Sequence, residues 1–151
     1  MNTTKRITTW LFLLLSLTGL IGTVTFSANA EQMKRLGNWN VHYIAFGSTF
    51  LTPKIAQAYD IKRSGYSGVV NISVLSSSKS HTAQKVEISG EAKNLLGQIQ
   101  ELSFKEIIEG DSVYYIAQID YRNEETYRFD IKLKQGNQSQ KLKFSQQFYV
   151  D

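Results

Sequence analysis

Few side chains in this chain are equipped for chemistry: among 151 residues there are two histidines and no cysteine. His42 is the first candidate. It lies in the run Trp39-Asn40-Val41-His42-Tyr43-Ile44-Ala45, on the face away from Trp39, Val41 and Tyr43. An imidazole there is a potential acid/base group or ligand contact, and its plainer role is a half-exposed histidine bonded to a nearby loop. Ser64, with His42 and Asp60, can be drawn as a nucleophile and its base, which makes a small hydrolase one alternative. No activating context accompanies it, because the sequence lacks Gly-x-Ser-x-Gly, His-Glu-x-x-His and any glycine-rich phosphate loop. Arg63 can grip a carboxylate or phosphate at two points, or simply brace a neighbouring helix through backbone carbonyls or Asp60. Tyr43 and Asn71 complete the predicted binding set. With His81 in a serine-rich loop and Met33 the one methionine beyond the start, no transition-metal site and no cofactor are expected.

A basic ladder is the second constellation. Lys132 and Lys134 share one face of a strand, and Lys141 and Lys143 share one face of the next. If Leu133 opposes Leu142, lysines face lysines, which costs stability. Such a ladder suits an anionic envelope component, or an edge strand that repels other sheets.

These groups must be positioned by β structure, because the apolar period is two almost throughout. Strands are predicted around Trp39–Ala45, Val70–Val74 and Val86–Ile88, then from Ile99 to Ile108, Val113–Tyr121, Tyr127–Leu133 and Leu142–Val150. In the fourth, Glu106 falls on the face of Leu102 and Phe104, so a bulge or an edge position is expected. Short polar turns predict that the last three strands form a meander, with Tyr121 opposing Tyr127 and Asp120 opposing Arg128. One segment departs from the pattern. Thr52 can cap a helix, Pro53 suits its first position, and Ile55 and Tyr59 should together cover an open end of the sheets. The sum is an all-β, antiparallel, immunoglobulin-like β-sandwich of about seven strands with one short helix. A small outer-membrane barrel fits the alternation less well, given the odd strand count and the helix.

Residues 1–30 read as a cleavable signal peptide. Lys5 and Arg6 precede an apolar run from Trp10, and Ala28-Asn29-Ala30 places small residues where a signal peptidase cuts, before Glu31. The alternative is an inner-membrane anchor over residues 7–30. Cleavage leaves one domain, residues 31–151, with no stable membrane span, located in the periplasm. That domain folds without disulfides, although its compartment permits them. Lys5 and Arg6 supply two of the +4 formal charges, so little remains to attract nucleic acid.

The segment His42-Tyr43-x-Ala45-Phe46, Ser48-x-Phe50-Leu51-x-Pro53-x-Ile55-Ala56, Tyr59, Arg63-Ser64 and Val70-Asn71-Ile72-Ser73-Val74 resembles a known family. This is a domain-of-unknown-function family of small exported periplasmic proteins of Gram-negative gammaproteobacteria. The resemblance implies a periplasmic β-sandwich and implies no activity. Together these readings predict a non-enzymatic periplasmic binding or accessory domain that engages an envelope protein or an anionic envelope component. A hydrolase using His42 and Ser64, or a structural subunit that assembles through a sheet edge, are the alternatives.

Overall fold

The computed structural model describes residues 31–150. The predicted signal peptide, the expected cleavage residues Ala28 and Ala30, and the alternative anchor lie outside them. Among the described residues there are nine strands: β1 (Gln32–Leu36), β2 (Trp39–Gly47), β3 (Ser67–Ser76), β4 (Glu87–Asn94), β5 (Ile99–Glu101), β6 (Lys105–Glu109), β7 (Ser112–Asp120), β8 (Glu125–Gln135) and β9 (Gln138–Phe148). A single-turn 3-10 helix (Ser48–Phe50) and α1 (Pro53–Ala58) separate β2 from β3.

The strands form two antiparallel sheets, in the orders β1-β2-β3-β7-β6 and β5-β4-β8-β9. With β1 set aside, these are the A-B-E-D and C′-C-F-G orders of an immunoglobulin-like sandwich. The inner faces supply the alternating core: Val41, Tyr43, Val70, Ile72, Val74, Tyr115 and Ala117 from one sheet meet Phe129, Ile131, Leu133 and Leu142 from the other. Rings take the place of the missing inter-sheet disulfide. Phe129 stacks on Phe144 at 4.5 Å, and Phe144 meets Tyr43 of the opposite sheet at 4.6 Å. Such pairs add roughly 0.5–1.5 kcal/mol each beyond area burial.

Three strand expectations need correction, while the edge position expected for Glu106 holds, since β6 ends its sheet. The Ile99–Ile108 strand is two edge strands in different sheets, because the chain crosses between the layers after Glu101. Leu102 is buried in the crossing and its N–H donates to the Gly90 carbonyl. Glu106, which looked misplaced, reaches the Tyr115 hydroxyl and Lys85. The C-terminal meander is half right. β8 and β9 form a hairpin, but β7 and β8 belong to different sheets, joined by the turn at Arg122–Glu125. Tyr121 and Tyr127 share an apolar side because both face one core from opposite layers. The lysine register is shifted by two: Ile131 opposes Leu142, so Lys132 faces Lys141 while Lys143 faces Asp130 and Lys134 faces Ser139. Lys143 pairs with Asp130 at 3.0 Å and Lys134 with Glu87 at 3.8 Å, leaving one like-charge pair in the predicted ladder.

The helix itself is as expected, with Thr52 Oγ1 accepting from Ile55 N–H and Pro53 at its start. Its packing is not. Ile55 is 43% exposed, and Ala56 is the buried residue. Ala56, Ile61 and Val69 form a second small core with Phe46, Leu51, Tyr59 and Ile116. The helix therefore covers the outer face of the five-stranded sheet rather than an open end. β1 was missed because Gln32-Met33-Lys34-Arg35-Leu36 is mostly exposed and carries no apolar alternation. Its Lys34 Nζ donates to the Lys143 carbonyl on β9 and lies 5.6 Å from the Tyr43 ring centroid, tying the two sheets along one side.

Candidate functional site

The residues singled out in the sequence do not converge. His42 is on the outer face of β2, with Nδ1 3.1 Å from Glu31 Oε1 and with Met33 opposite it on β1. Ser64 belongs to another place. Its N–H donates to Ser48 Oγ at 2.9 Å and its carbonyl accepts from the same hydroxyl at 3.0 Å. Ser48 follows the end of β2, six residues beyond His42, which at strand rise is roughly 20 Å. Ser64 Oγ accepts from the Tyr66 N–H. The arrangement a hydrolase needs, nucleophile against base, is not assembled. Arg63 has the bracing role: Nε donates to the Leu51 carbonyl at 2.9 Å and an Nη to that of Thr49 at 3.1 Å. Tyr43 is 4% exposed and packed in the core, so it cannot meet a partner. Asn71 lies between Ile44 and Ile116 on the outer face, and its Oδ1 is buried with no hydrogen-bond partner.

A cleft of about 430 Å³ opens instead at the end of the sandwich where β7 hands over to β8. Its floor is a closed set of hydrogen bonds. Tyr127, near the start of β8, donates its hydroxyl to the Asp120 carbonyl at 3.2 Å. This is the tyrosine corner of immunoglobulin-like folds, a ring whose hydroxyl reaches back to the preceding backbone. Gln100 of β5 completes it, with Nε2 2.7 Å from both the Asp120 carbonyl and the Tyr127 hydroxyl, and Oε1 accepting from Asp120 N–H at 3.0 Å. Burial, with the Glu125 carboxylate next in size, pushes the Tyr127 phenol above its ordinary range. Tyr121 stacks on Phe148 at 4.7 Å behind this floor.

The rim is different. Tyr66 is 61% exposed, and Lys62, Arg122, Asp120 and Glu125 bring both signs of charge. The backbone of Lys62 is fixed by Gln118, whose side chain bonds both its N–H and its carbonyl at 3.0 Å. A smaller groove of about 220 Å³ shares Lys62, Gln100 and Asp120 and runs toward Ser67 and Gln118. The cleft thus offers an aromatic platform, fixed amides and mixed charges, and no nucleophile held against a base. Sequence reasoning missed it because Asp120 and Tyr127 were assigned to a hairpin. The available signal was a tyrosine two residues before the core residue Phe129, just after a polar turn, which is the corner spacing.

Among the described residues no group of three or more His, Cys, Asp or Glu side chains could hold a metal ion. No described helix is long and apolar enough to cross a membrane.

Residues 33–151 match the family model described as a domain of unknown function, DUF4426. The crystal structure of a DUF4426 family protein from Pseudomonas aeruginosa PAO1 is 33% identical, with 80% of this chain and 96% of that chain covered and a TM-score of 0.70. FetP of uropathogenic Escherichia coli strain F11 shares the fold. A copper-bound variant is 10% identical, covering 79% of this chain and 95% of that one, at a TM-score of 0.53. FetP as isolated after recombinant expression in the periplasm is 13% identical, covering 80% and 94%, at 0.52. No curated protein matches the chain. A family model that spans almost the whole sandwich, and a relative one-third identical along four-fifths of the chain, make this protein a member of the DUF4426 family.

Proposed function

We propose that this protein is an exported periplasmic binding domain, not an enzyme, and that it engages a protein of the cell envelope at the end of the sandwich marked by the Tyr127 corner. One observation carries the reading: an open cleft with an exposed aromatic and both signs of charge at its rim, over a floor already locked by its own hydrogen bonds. A preorganised polar floor and a free aromatic rim are what a binding surface needs, since tyrosine gives contact area at low ordering cost. The mixed rim favours a polypeptide over a purely anionic component. Support for an anionic partner came from the lysine ladder, and Asp130 and Glu87 neutralise half of it. The signal pattern of residues 1–30 supports export.

The test is osmotic-shock fractionation followed by in-cell photocrosslinking with the probe at position 66. We expect release from the periplasm as a chain beginning at Glu31, and a discrete protein adduct that Arg122→Glu weakens. Retention in the cytosol, or no protein adduct from position 66, defeats the reading.

A further inference from the structure

Among the described residues, the β4–β5 connection carries an unusual surface. Leu95 is 67% and Leu96 81% exposed, side by side at the tip of a turn. The turn is not loose. Asn94, itself buried, accepts from Leu96 N–H at 3.1 Å and from Gln98 N–H at 2.8 Å through Oδ1. Its Nδ2 donates to Gln98 Oε1 at 2.8 Å and to Glu125 Oε1 at 2.7 Å. Its backbone N–H and carbonyl bond Gln98 and Gly97, and Gly97 adopts φ +85, a conformation that L side chains rarely take. One asparagine therefore satisfies the whole turn from inside while both leucines are held out in water. Two adjacent, rigidly held apolar side chains that the fold leaves mostly in water are what a binding surface presents.

We infer that Leu95 and Leu96 are the anchor of a protein–protein contact, inserting into an apolar pocket on an envelope protein that also lies across the cleft. This rests on the binding reading above and names the chemistry of the partner. The turn and the cleft are mechanically one unit, because Gln98 and Glu125 both bond Asn94 and both line the cleft. Two observations select a protein over a lipid surface. The charges flanking the turn are of both signs, Lys93 and Arg122 against Glu101 and Glu125, whereas membrane-docking elements carry a basic ring. Two leucine side chains also present less hydrocarbon than one acyl chain, which by itself holds a protein on a bilayer only marginally. Side chains buried in a fully desolvated pocket and ringed by contacts that exclude water are where interface energy concentrates.

The experiment uses the full chain expressed in cells with a photocrosslinking residue replacing Lys93, beside the turn, and in a separate strain replacing Tyr66. The partner crosslinked from position 93 is identified, purified and titrated against wild-type protein and the Leu95→Ser/Leu96→Ser double variant. We expect the same partner from both positions, and an affinity at least about ten-fold weaker for the double variant with an unchanged melting temperature. An adduct from position 66 but none from 93, or equal affinity for the double variant, overturns the anchor and leaves the cleft reading standing. No adduct from either position overturns both. Co-sedimentation with vesicles of phosphatidylethanolamine and phosphatidylglycerol that the double variant abolishes, or a wild-type dimer by light scattering that it dissolves, would replace the protein partner with a lipid surface or a second copy and so overturn the inference.

Discussion

The outer faces of the two sheets are built on opposite plans. On the five-stranded sheet the outward residues Phe46, Val69 and Ile116 are roofed by α1 and by Ile61, which makes a second apolar layer. On the four-stranded sheet they are Glu87, Ser89, Glu91, Arg128, Asp130, Lys132 and Lys143, in water and partly ion-paired. Period-two alternation looks the same in both. The difference teaches that an outward position in a strand need not be a surface position, and that Arg63, Ser64 and Ser48 belong to the roof of one face rather than to a site.

The sharpest way to break this contrast is to place the same carboxylate on each face. Val69→Asp buries an unpaired charge under the roof and should cost about 3–5 kcal/mol in urea unfolding. Ser89→Asp, exposed opposite Lys132, should stay within about 0.5 kcal/mol of wild type. Equal costs would show that the roof is not packed. Next in size is the roof's own fastening. Ser48→Ala strips the one hydroxyl that serves both the N–H and the carbonyl of Ser64, and should cost about 1–3 kcal/mol by the same measurement.

Each sheet also contributes a buried tyrosine whose hydroxyl reaches the other layer. Tyr115 accepts from Val86 N–H at 2.8 Å, and Tyr127 donates to the Asp120 carbonyl. Burial, the leading cause for both, holds the two phenols above the ordinary tyrosine range. The unfolded chain gives up these protons near pH 10, before the folded chain does. Their contribution to stability is therefore complete below that value and is lost as pH rises through the folded-state values. Thermal melts from pH 7 to 11 should show this decline, and Tyr115→Phe and Tyr127→Phe should each remove part of it. A decline that neither variant changes would assign it elsewhere. The smallest effect concerns the surviving like-charge pair. Lys141→Glu opposite Lys132 should stabilise by roughly 0.2–1 kcal/mol, with the gain shrinking at high salt.

The sandwich was legible because Trp39–Ala45, Val70–Val74 and Tyr127–Leu133 each keep strict alternation, and alternation reports one buried face directly. The capped start of α1 was legible for the same kind of reason, since Thr52 and Pro53 act locally. What failed depended on partners distant in sequence. Tyr121 and Tyr127 look alike whether their strands are neighbours in one sheet or face each other across a core. The β8–β9 register moved by two because Leu133 has a polar cross-strand neighbour, Gln140, while Leu142 pairs with Ile131. Leu95 and Leu96 passed unnoticed as ordinary apolar residues, because only the turn fixed by Asn94 shows that they point outward.

Lys34 gives the start of the chain an importance that its exposed strand conceals. Its ammonium caps a carbonyl of the outermost strand of the other sheet, so one side chain bridges the two sheets at that border. Shortening the protein past Leu36 would bare β2 and that carbonyl together, on the same side of the molecule. β2 would then become the edge of its sheet, offering a second copy the backbone groups that β1 now holds.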